Sequence, residues 1–191
     1  MSVVIIHGSN SKEQEKLAKG GLQQNKRNWI PWIKEKLEEK EIECFTPLMP
    51  ESWAPNYLKW KKEFEKITVD EESILVGTSA GGAFLVKWLG ETGRKVEKLI
   101  LVAPAILHGE VEDNVLREFY GFDINGDISE KIRRIVIISS SNDSEGIKQA
   151  EKIYSKALGI KPLVLENKGH FTERGMGTKE FPELLDEILK E

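Results

Sequence analysis

The sequence has little of several features that mark particular classes of protein. Its one cysteine, Cys44, cannot form an internal disulfide, and its three histidines and that cysteine form no cluster with metal-ligand spacing. It contains neither a P-loop nor a G-x-G-x-x-G fingerprint, so we predict no metal and no cofactor. Its longest apolar runs fall well short of the roughly 20 residues that a membrane-spanning helix requires.

The chain also lacks an excess of positive charge. Lys and Arg together number 28 and Asp and Glu 32, which gives a formal net charge of −4. Because binding to nucleic-acid phosphates favours clustered Lys and Arg, no nucleic-acid partner is expected. The first residues have no basic start and too short an apolar stretch for a signal peptide. These features predict a cytoplasmic protein without a membrane partner.

Short apolar runs and amphipathic segments alternate along the chain. Runs rich in Val, Ile and Leu predict strands at residues 3–6, 42–46, 73–76, 99–103, 135–138 and 163–165. Apolar residues at helical spacing predict helices at residues 29–37, 57–67, 84–89, 146–158 and 179–189. Nearly continuous apolar strands between amphipathic helices are typical of an α/β protein. We predict a mostly parallel sheet of about six strands, covered on both faces in a three-layer sandwich.

The length of the chain fits one domain, so we assign residues 1–191 to a single domain. Only the interval 104–130 has no clear strand, and we expect a loop there with one short helix. The fold is therefore predicted to have little or no cap. Functional sites of such sheets lie at the carboxyl ends of the strands, so reactive side chains are expected in the loops there.

The segment Gly77-Thr78-Ser79-Ala80-Gly81 matches the G-x-S-x-G pattern of a nucleophile elbow. An apolar strand precedes it and an amphipathic helix follows, which is the context that exposes a serine in a sharp turn. Glycines on either side would let the strand and the helix approach each other closely. The alternative is a glycine-rich turn that binds phosphate at the helix N-terminus. The context favours Ser79 as a nucleophile.

A serine hydroxyl needs a general base beside it. His170 follows the last predicted strand directly and therefore lies on the active edge of the sheet, so we predict that it is the base. His7 ends the first strand and is assigned to the loop that binds the oxyanion. His108 lies in the long interval, where an exposed position is expected.

The base in turn needs an orienting carboxylate. Asp143 lies in the loop after the strand at 135–138, and it completes the chain order Ser, Asp, His that α/β-hydrolases use. The same position also suits an N-cap of the following helix. Glu145 is the reserve acid.

Stabilising a tetrahedral intermediate requires two N–H donors, one of them from the residue after the serine. We predict that Ala80 and Ser9 provide them. Asn10, in the same loop as Ser9, and Trp53, in the loop after the second strand, are predicted to bind the substrate. The other tryptophans lie at helical spacing and are assigned to the core: Trp29, Trp32, Trp60 and Trp88.

Further short motifs lie along nearly the whole chain. Besides the elbow they are His7-Gly8, Pro47-Leu48-Met49-Pro50, Val102-Ala103-Pro104, Ser140-Ser141-Asn142-Asp143 and Gly169-His170-Phe171. In these motifs the chain resembles the YdeN-type family of small serine hydrolases, a branch of the α/β-hydrolases related to retinoblastoma-binding protein. The resemblance implies a Ser79, Asp143 and His170 triad and activity on simple esters. The retinoblastoma-binding L-x-C-x-E pattern is missing around Cys44, so that partner is not expected.

We therefore predict a serine hydrolase that acts on a small-molecule carboxylic ester through a Ser-His-Asp acyl-enzyme mechanism. Two other interpretations stay open. The fold could serve as a non-catalytic protein-binding module, since fold does not determine function. A flavodoxin-like FMN or nucleotide binder is suggested by Gly8-Ser9-Asn10-Ser11 after the first strand.

Overall fold

The computed structural model of the chain describes residues 1–10, 23–107 and 113–190, and His108 lies outside these ranges. One sheet contains the strands β1 Ser2–Ile6, β2 Glu43–Phe45, β3 Ser73–Thr78, β4 Val96–Val102, β5 Ile132–Ser140 and β6 Leu163–Leu165. Their order is β2-β1-β3-β4-β5-β6, and every neighbouring pair is parallel. The predicted α/β class and the six strands are confirmed.

The described helices are α1 Ile30–Glu38, α2 Tyr57–Phe64, α3 Ala80–Thr92, α4 Asn114–Tyr120, α5 Glu145–Leu158, α6 Glu173–Met176 and α7 Pro182–Leu189. Two 3-10 helices lie at Gln24–Lys26 and Gly126–Glu130. Helix α7 begins later than the predicted residue 179, because Pro182 suits the first turn of a helix. Helix α6 was not predicted, since four residues are too few to show a helical period.

The sheet lies between two layers of helices, with one hydrophobic cluster on each face. Neighbouring residues of a strand point to opposite faces and so belong to different clusters. In β1, Val4 and Ile6 pack with α2, α3 and the C-terminal half of α5, whereas Val3 and Ile5 pack with α1 and α7. All four of these side chains are fully buried. Because all six strands are parallel, their carboxyl ends lie at the same edge of the sheet.

The interval 104–130 does contain a short helix, α4, together with the 3-10 helix Gly126–Glu130. Phe119 of α4 is fully buried, and its ring centroid lies 4.9 Å from that of Trp60 on α2. Helix α4 therefore packs onto the helical layer of α2. No helix in the described part of the chain is long and apolar enough to cross a membrane.

Candidate active site

Ser79 lies between the end of β3 and the start of α3, with φ 52° and ψ −116°. A residue with a side chain rarely adopts such backbone angles, and holding one there costs about 1–3 kcal/mol. Neighbouring backbone stabilises the turn: the Ser79 N–H donates to the Val102 carbonyl at 3.0 Å, and the Ala105 N–H donates to the Ser79 carbonyl at 3.1 Å. The sharp strand-turn-helix geometry expected from the motif is present.

Glycines permit the close contacts around this turn. A Cβ atom on Gly81 would lie 2.2 Å from the Ile6 carbonyl oxygen, and one on Gly77 would lie 2.6 Å from the Gly82 nitrogen. Gly8 is also close, since a Cβ there would lie 3.1 Å from the Ser79 Cβ. The elbow therefore packs directly against β1 and the loop that follows it.

The structure brings His170 and Asp143 together. The distance between His170 Nδ1 and Asp143 Oδ2 is 2.8 Å, and the side chains are 37% and 3% exposed, respectively. The Ser144 N–H donates to Asp143 Oδ1 at 2.6 Å. Helix α5 is capped by the Ser144 hydroxyl rather than by Asp143, and Glu145 is exposed in its first turn. Asp143 thus contacts the imidazole and is not the N-cap.

A cavity of about 780 Å³ is lined by both Ser79 and His170. The hydroxyl and the imidazole therefore face the same space, although they come from loops 91 residues apart (170 − 79). Gly8 and Ser9 form one side of the cavity. His7 and Thr78 also line it, and the other lining residues come from two segments: Gln24, Arg27, Asn28, Trp29 and Ile30, and Phe171, Thr172, Glu173 and Arg174. No described residue of the interval 104–130 lines the cavity.

His7 is buried and fixes the loop beside Ser79. Its Nε2 accepts the Met49 N–H at 2.9 Å, so in the neutral imidazole Nδ1 carries the hydrogen and donates it to the Gly8 carbonyl at 2.7 Å. Ser9, predicted as an oxyanion donor, follows in this loop and lines the cavity. Ala80 is the first residue of α3, where an N–H has no acceptor within the helix.

The two predicted substrate-binding residues, Asn10 and Trp53, are not among the residues that line this cavity. The Asn10 N–H donates to the Ser52 carbonyl at 3.2 Å, and its Oδ1 accepts the Ser52 hydroxyl at 2.8 Å. These bonds direct Asn10 toward the loop after β2, which also contains the half-buried Trp53. Contact of either residue with a substrate stays a prediction that the cavity does not support.

The serine-rich segment at the end of β5, residues 140–142, holds the loop that carries His170. Ser141 Oγ accepts the Asn167 N–H at 3.0 Å, and Ser140 Oγ accepts the Lys168 N–H at 3.0 Å. Asn142 Oδ1 accepts the Gly169 N–H at 2.8 Å. Sequence reasoning missed this role. The signal was the run of hydroxyl and amide side chains before Asp143, which are suited to accept backbone N–H groups.

Glu151 of α5 is a second buried carboxyl group near Asp143. It is 6% exposed, and among the described residues its Oε1 has no hydrogen-bond partner. The pKa of Glu151 is raised from 4.5 to about 7, mainly by burial and to a smaller extent by the Asp143 carboxylate, while Ser139, His170 and Lys148 lower it. This residue was also missed, because its burial depends on how α5 packs against β5.

Neither a cysteine nucleophile nor a metal site is supported by the described residues. Cys44 is buried in β2, and burial raises the pKa of its thiol to about 12, so a reactive thiolate is disfavoured. No group of three or more His, Cys, Asp and Glu side chains in the described ranges is arranged to hold a metal ion.

Comparison with known families identifies the chain. The model of the serine hydrolase family matches residues 17–189, which is nearly the whole length. The chain belongs to the serine hydrolase family. Membership supports a hydrolase rather than the flavodoxin-like alternative. A comparison of the chain with curated proteins found no match.

Solved structures of other proteins share the fold of this chain. The ydeN gene product from B. subtilis matches with a TM-score of 0.79 and 20% identity, over 98% of this chain and 96% of that one. Est1E from Butyrivibrio proteoclasticus, solved with ferulic acid, matches with a TM-score of 0.61 and 15% identity, over 100% and 87% of the chains. Carboxylesterase CesB from Bacillus subtilis matches with a TM-score of 0.55 and 14% identity, over 98% and 81%. At these identities the likeness shows the α/β-hydrolase fold.

Proposed function

We propose that the protein hydrolyses small carboxylic esters through an acyl-enzyme formed on Ser79. The observation that carries the proposal is the 2.8 Å contact between His170 Nδ1 and Asp143 Oδ2, made by a histidine that shares a cavity with the serine of a strained elbow. A carboxylate on Nδ1 leaves Nε2 of the imidazole as the proton acceptor.

The reaction follows from these positions. His170 Nε2 takes the proton of the Ser79 hydroxyl as its oxygen attacks the ester carbonyl, and Asp143 stabilises the imidazolium. The backbone N–H groups of Ser9 and Ala80 are the proposed donors to the oxyanion. His170 returns the proton to the departing alcohol, which leaves the acyl group on Ser79. Water then attacks with the same histidine as base, and this releases the acid and the free hydroxyl.

Ester substrates are supported by the family and by the fold of Est1E and CesB. The cavity volume of about 780 Å³ lies in the usual range for sites that bind small molecules. Since no described residue of 104–130 lines the cavity, we expect a shallow site without a long acyl tunnel.

The direct test is labelling by a fluorophosphonate, followed by mapping of the modified peptide. We expect one modified residue, Ser79, and loss of both labelling and butyrate-ester hydrolysis in Ser79→Ala. Ser9→Ala is the matched control, because it removes a hydroxyl from the same cavity and keeps the backbone N–H that the proposal uses.

Two results would contradict the proposal. Labelling at a serine other than Ser79 would exclude it as the nucleophile. A folded protein that neither takes the label nor hydrolyses esters would favour the protein-binding module instead.

A further inference from the structure

Two neighbouring turns at the candidate nucleophile have strained backbones. Ser79 has φ 52°, and Ala103, directly after β4, has φ 44°. Residues with a side chain rarely adopt a positive φ, so each turn needs contacts that hold it. The Ser79 N–H donates to the Val102 carbonyl at 3.0 Å, and the Ala103 N–H donates to the Ile138 carbonyl at 2.9 Å. The two turns are therefore tied to the neighbouring strands β4 and β5.

The segment 103–105 lies against the start of α3. The Ala105 N–H donates to the Ser79 carbonyl at 3.1 Å, and the Gly82 N–H donates to the same carbonyl at 3.0 Å from within the helix. A Cβ on Gly82 would lie 3.0 Å from the Pro104 Cβ, so Pro104 packs directly on this first turn. Proline has a fixed φ and stiffens the segment. Ala105 thus adds to the helical bonds of Ser79 a contact from outside α3.

Tyr154 of α5 contacts this segment. Its side chain is fully buried, and its hydroxyl donates to the Ala105 carbonyl at 2.9 Å. The pKa of Tyr154 is raised above its ordinary value, mainly by burial and to a smaller extent by Tyr120, so the phenol keeps the proton that this bond requires. Because hydrogen bonds are directional and the ring is packed in the core, the bond restricts where Ala105 can lie.

Ala105 links Tyr154 to the nucleophile. Its carbonyl accepts from the Tyr154 hydroxyl, and its N–H donates to Ser79. Tyr154 is not among the described residues that line the cavity, so it affects the site through the segment that it holds. The same helix begins beside Asp143, since Ser144 caps it. Helix α5 therefore follows the loop of the acid directly and contacts the segment that holds the turn of the nucleophile.

We propose that Tyr154 is a positioning residue for the nucleophile: through Ala105 it holds the strained turn that directs the Ser79 hydroxyl into the cavity. The inference rests on the proposed esterase function and adds a residue to it. Attack on the ester depends on the exact position of the serine oxygen, whereas substrate binding depends on the cavity walls. Loss of the Tyr154 hydroxyl should therefore slow the reaction and leave binding almost unchanged.

The test is Tyr154→Phe, which keeps the buried ring and removes the hydroxyl. We measure kcat for 4-nitrophenyl butyrate and the rate of fluorophosphonate labelling at Ser79 well below the Tm of each protein, and expect both to fall about tenfold. Binding without reaction is followed with the amide analogue 4-nitrobutyranilide as a competitive inhibitor. Its inhibition constant should stay within about twofold of the wild-type value.

Tyr57→Phe is the matched control. Tyr57 lies on α2, is 3% exposed, and belongs to the same hydrophobic cluster as Tyr154. Its hydroxyl donates to Glu91 Oε2 at 2.6 Å. The variant therefore undergoes the same chemical change at another buried tyrosine of this cluster. We expect a lower Tm, with kcat and the labelling rate within about twofold of the wild type.

Hydrogen exchange of the Ala105 amide, followed by NMR, tests the route without any need for catalysis. This amide donates to the Ser79 carbonyl, so its exchange reports directly on the bond that holds the turn. It should exchange faster in Tyr154→Phe than in the wild type. In Tyr57→Phe it should exchange at the wild-type rate.

Several results would overturn the proposal. Tyr154→Phe could keep both reaction rates, or the exchange of the Ala105 amide could be the same as in the wild type. Equal losses of rate in the two variants would point to a general loosening of the core instead. If the wild type neither takes the label nor hydrolyses the ester, the proposed function itself has failed, and the positioning role fails with it. If the wild type reacts and only the comparison of variants fails, only the role of Tyr154 is wrong.

Discussion

Glu151 makes a quantitative prediction about stability and pH. Its carboxyl is 6% exposed, and its pKa is raised from 4.5 to about 7, mainly by burial. The stability associated with this raised pKa is fully present below pH 4.5, where the folded and unfolded states both hold the proton. Above that pH the unfolded chain releases the proton while the folded protein keeps it. The free energy of unfolding therefore falls as pH rises, until the folded carboxyl also ionises near pH 7.

The size of this effect follows from the shift. A displacement of roughly 2.5 pKa units corresponds to about 3 kcal/mol in total, of which about 2.5 kcal/mol is lost between pH 5 and pH 8. Glu151→Gln keeps the shape of the side chain and removes the titration. We expect the variant to gain about 2.5 kcal/mol relative to the wild type over this range.

Urea unfolding followed by circular dichroism at several pH values measures the difference. Subtracting the free energy of unfolding of the wild type from that of the variant cancels the titration of groups common to both proteins. Asp143, His170 and Lys148 interact with Glu151 and are kept unchanged in both proteins. Glu145→Gln is the control, because Glu145 is exposed on the same helix. If the free energy of unfolding changes with pH in the same way in the wild type and in Glu151→Gln, the pKa of this carboxyl is not raised in the folded protein. The reasoning from burial would then be wrong.

Further predictions concern the reaction. Asp143→Asn should lower kcat by about 10⁴-fold, as in a comparable triad, and Glu145→Gln should leave it unchanged; the reverse result would make Glu145 the acid. Gly81→Ala should lower both Tm and fluorophosphonate labelling, because its Cβ would lie 2.2 Å from the Ile6 carbonyl oxygen; a folded, fully labelled variant would contradict this. Across esters from acetyl to palmitoyl, kcat/KM should fall with chain length, and a steady rise would reveal an acyl tunnel.

Much of the fold could be predicted because the strands and helices leave local patterns. The run at 73–76 predicts β3, which extends to Thr78, and the helical spacing after Ser79 predicts α3. The predicted helix stops at residue 89, but α3 continues to Thr92. Gly93 ends it with φ 64°, since a left-handed residue satisfies the last carbonyls of a helix.

The candidate triad was predicted from a motif and from chain order. Ser79, Asp143 and His170 each follow a predicted strand, and parallel strands bring such loops to one edge of the sheet. What the order could not decide was the role of Asp143, because the same position suits both an acid and an N-cap. In three dimensions Ser144 caps the helix and Asp143 contacts His170, which supports the proposed role of Asp143 as the acid.

The sequence by itself determined the α/β class, the elbow and the order of the reactive residues, since these depend on periodicity and near-neighbour spacing. Only the tertiary structure decided the walls of the cavity and the burial of Glu151. Arg27 and Arg174 are separated by 147 residues (174 − 27), and each is an ordinary polar position in its own segment. They line one cavity because α6 packs beside the segment before α1, and no local pattern encodes contacts between segments so far apart in the chain.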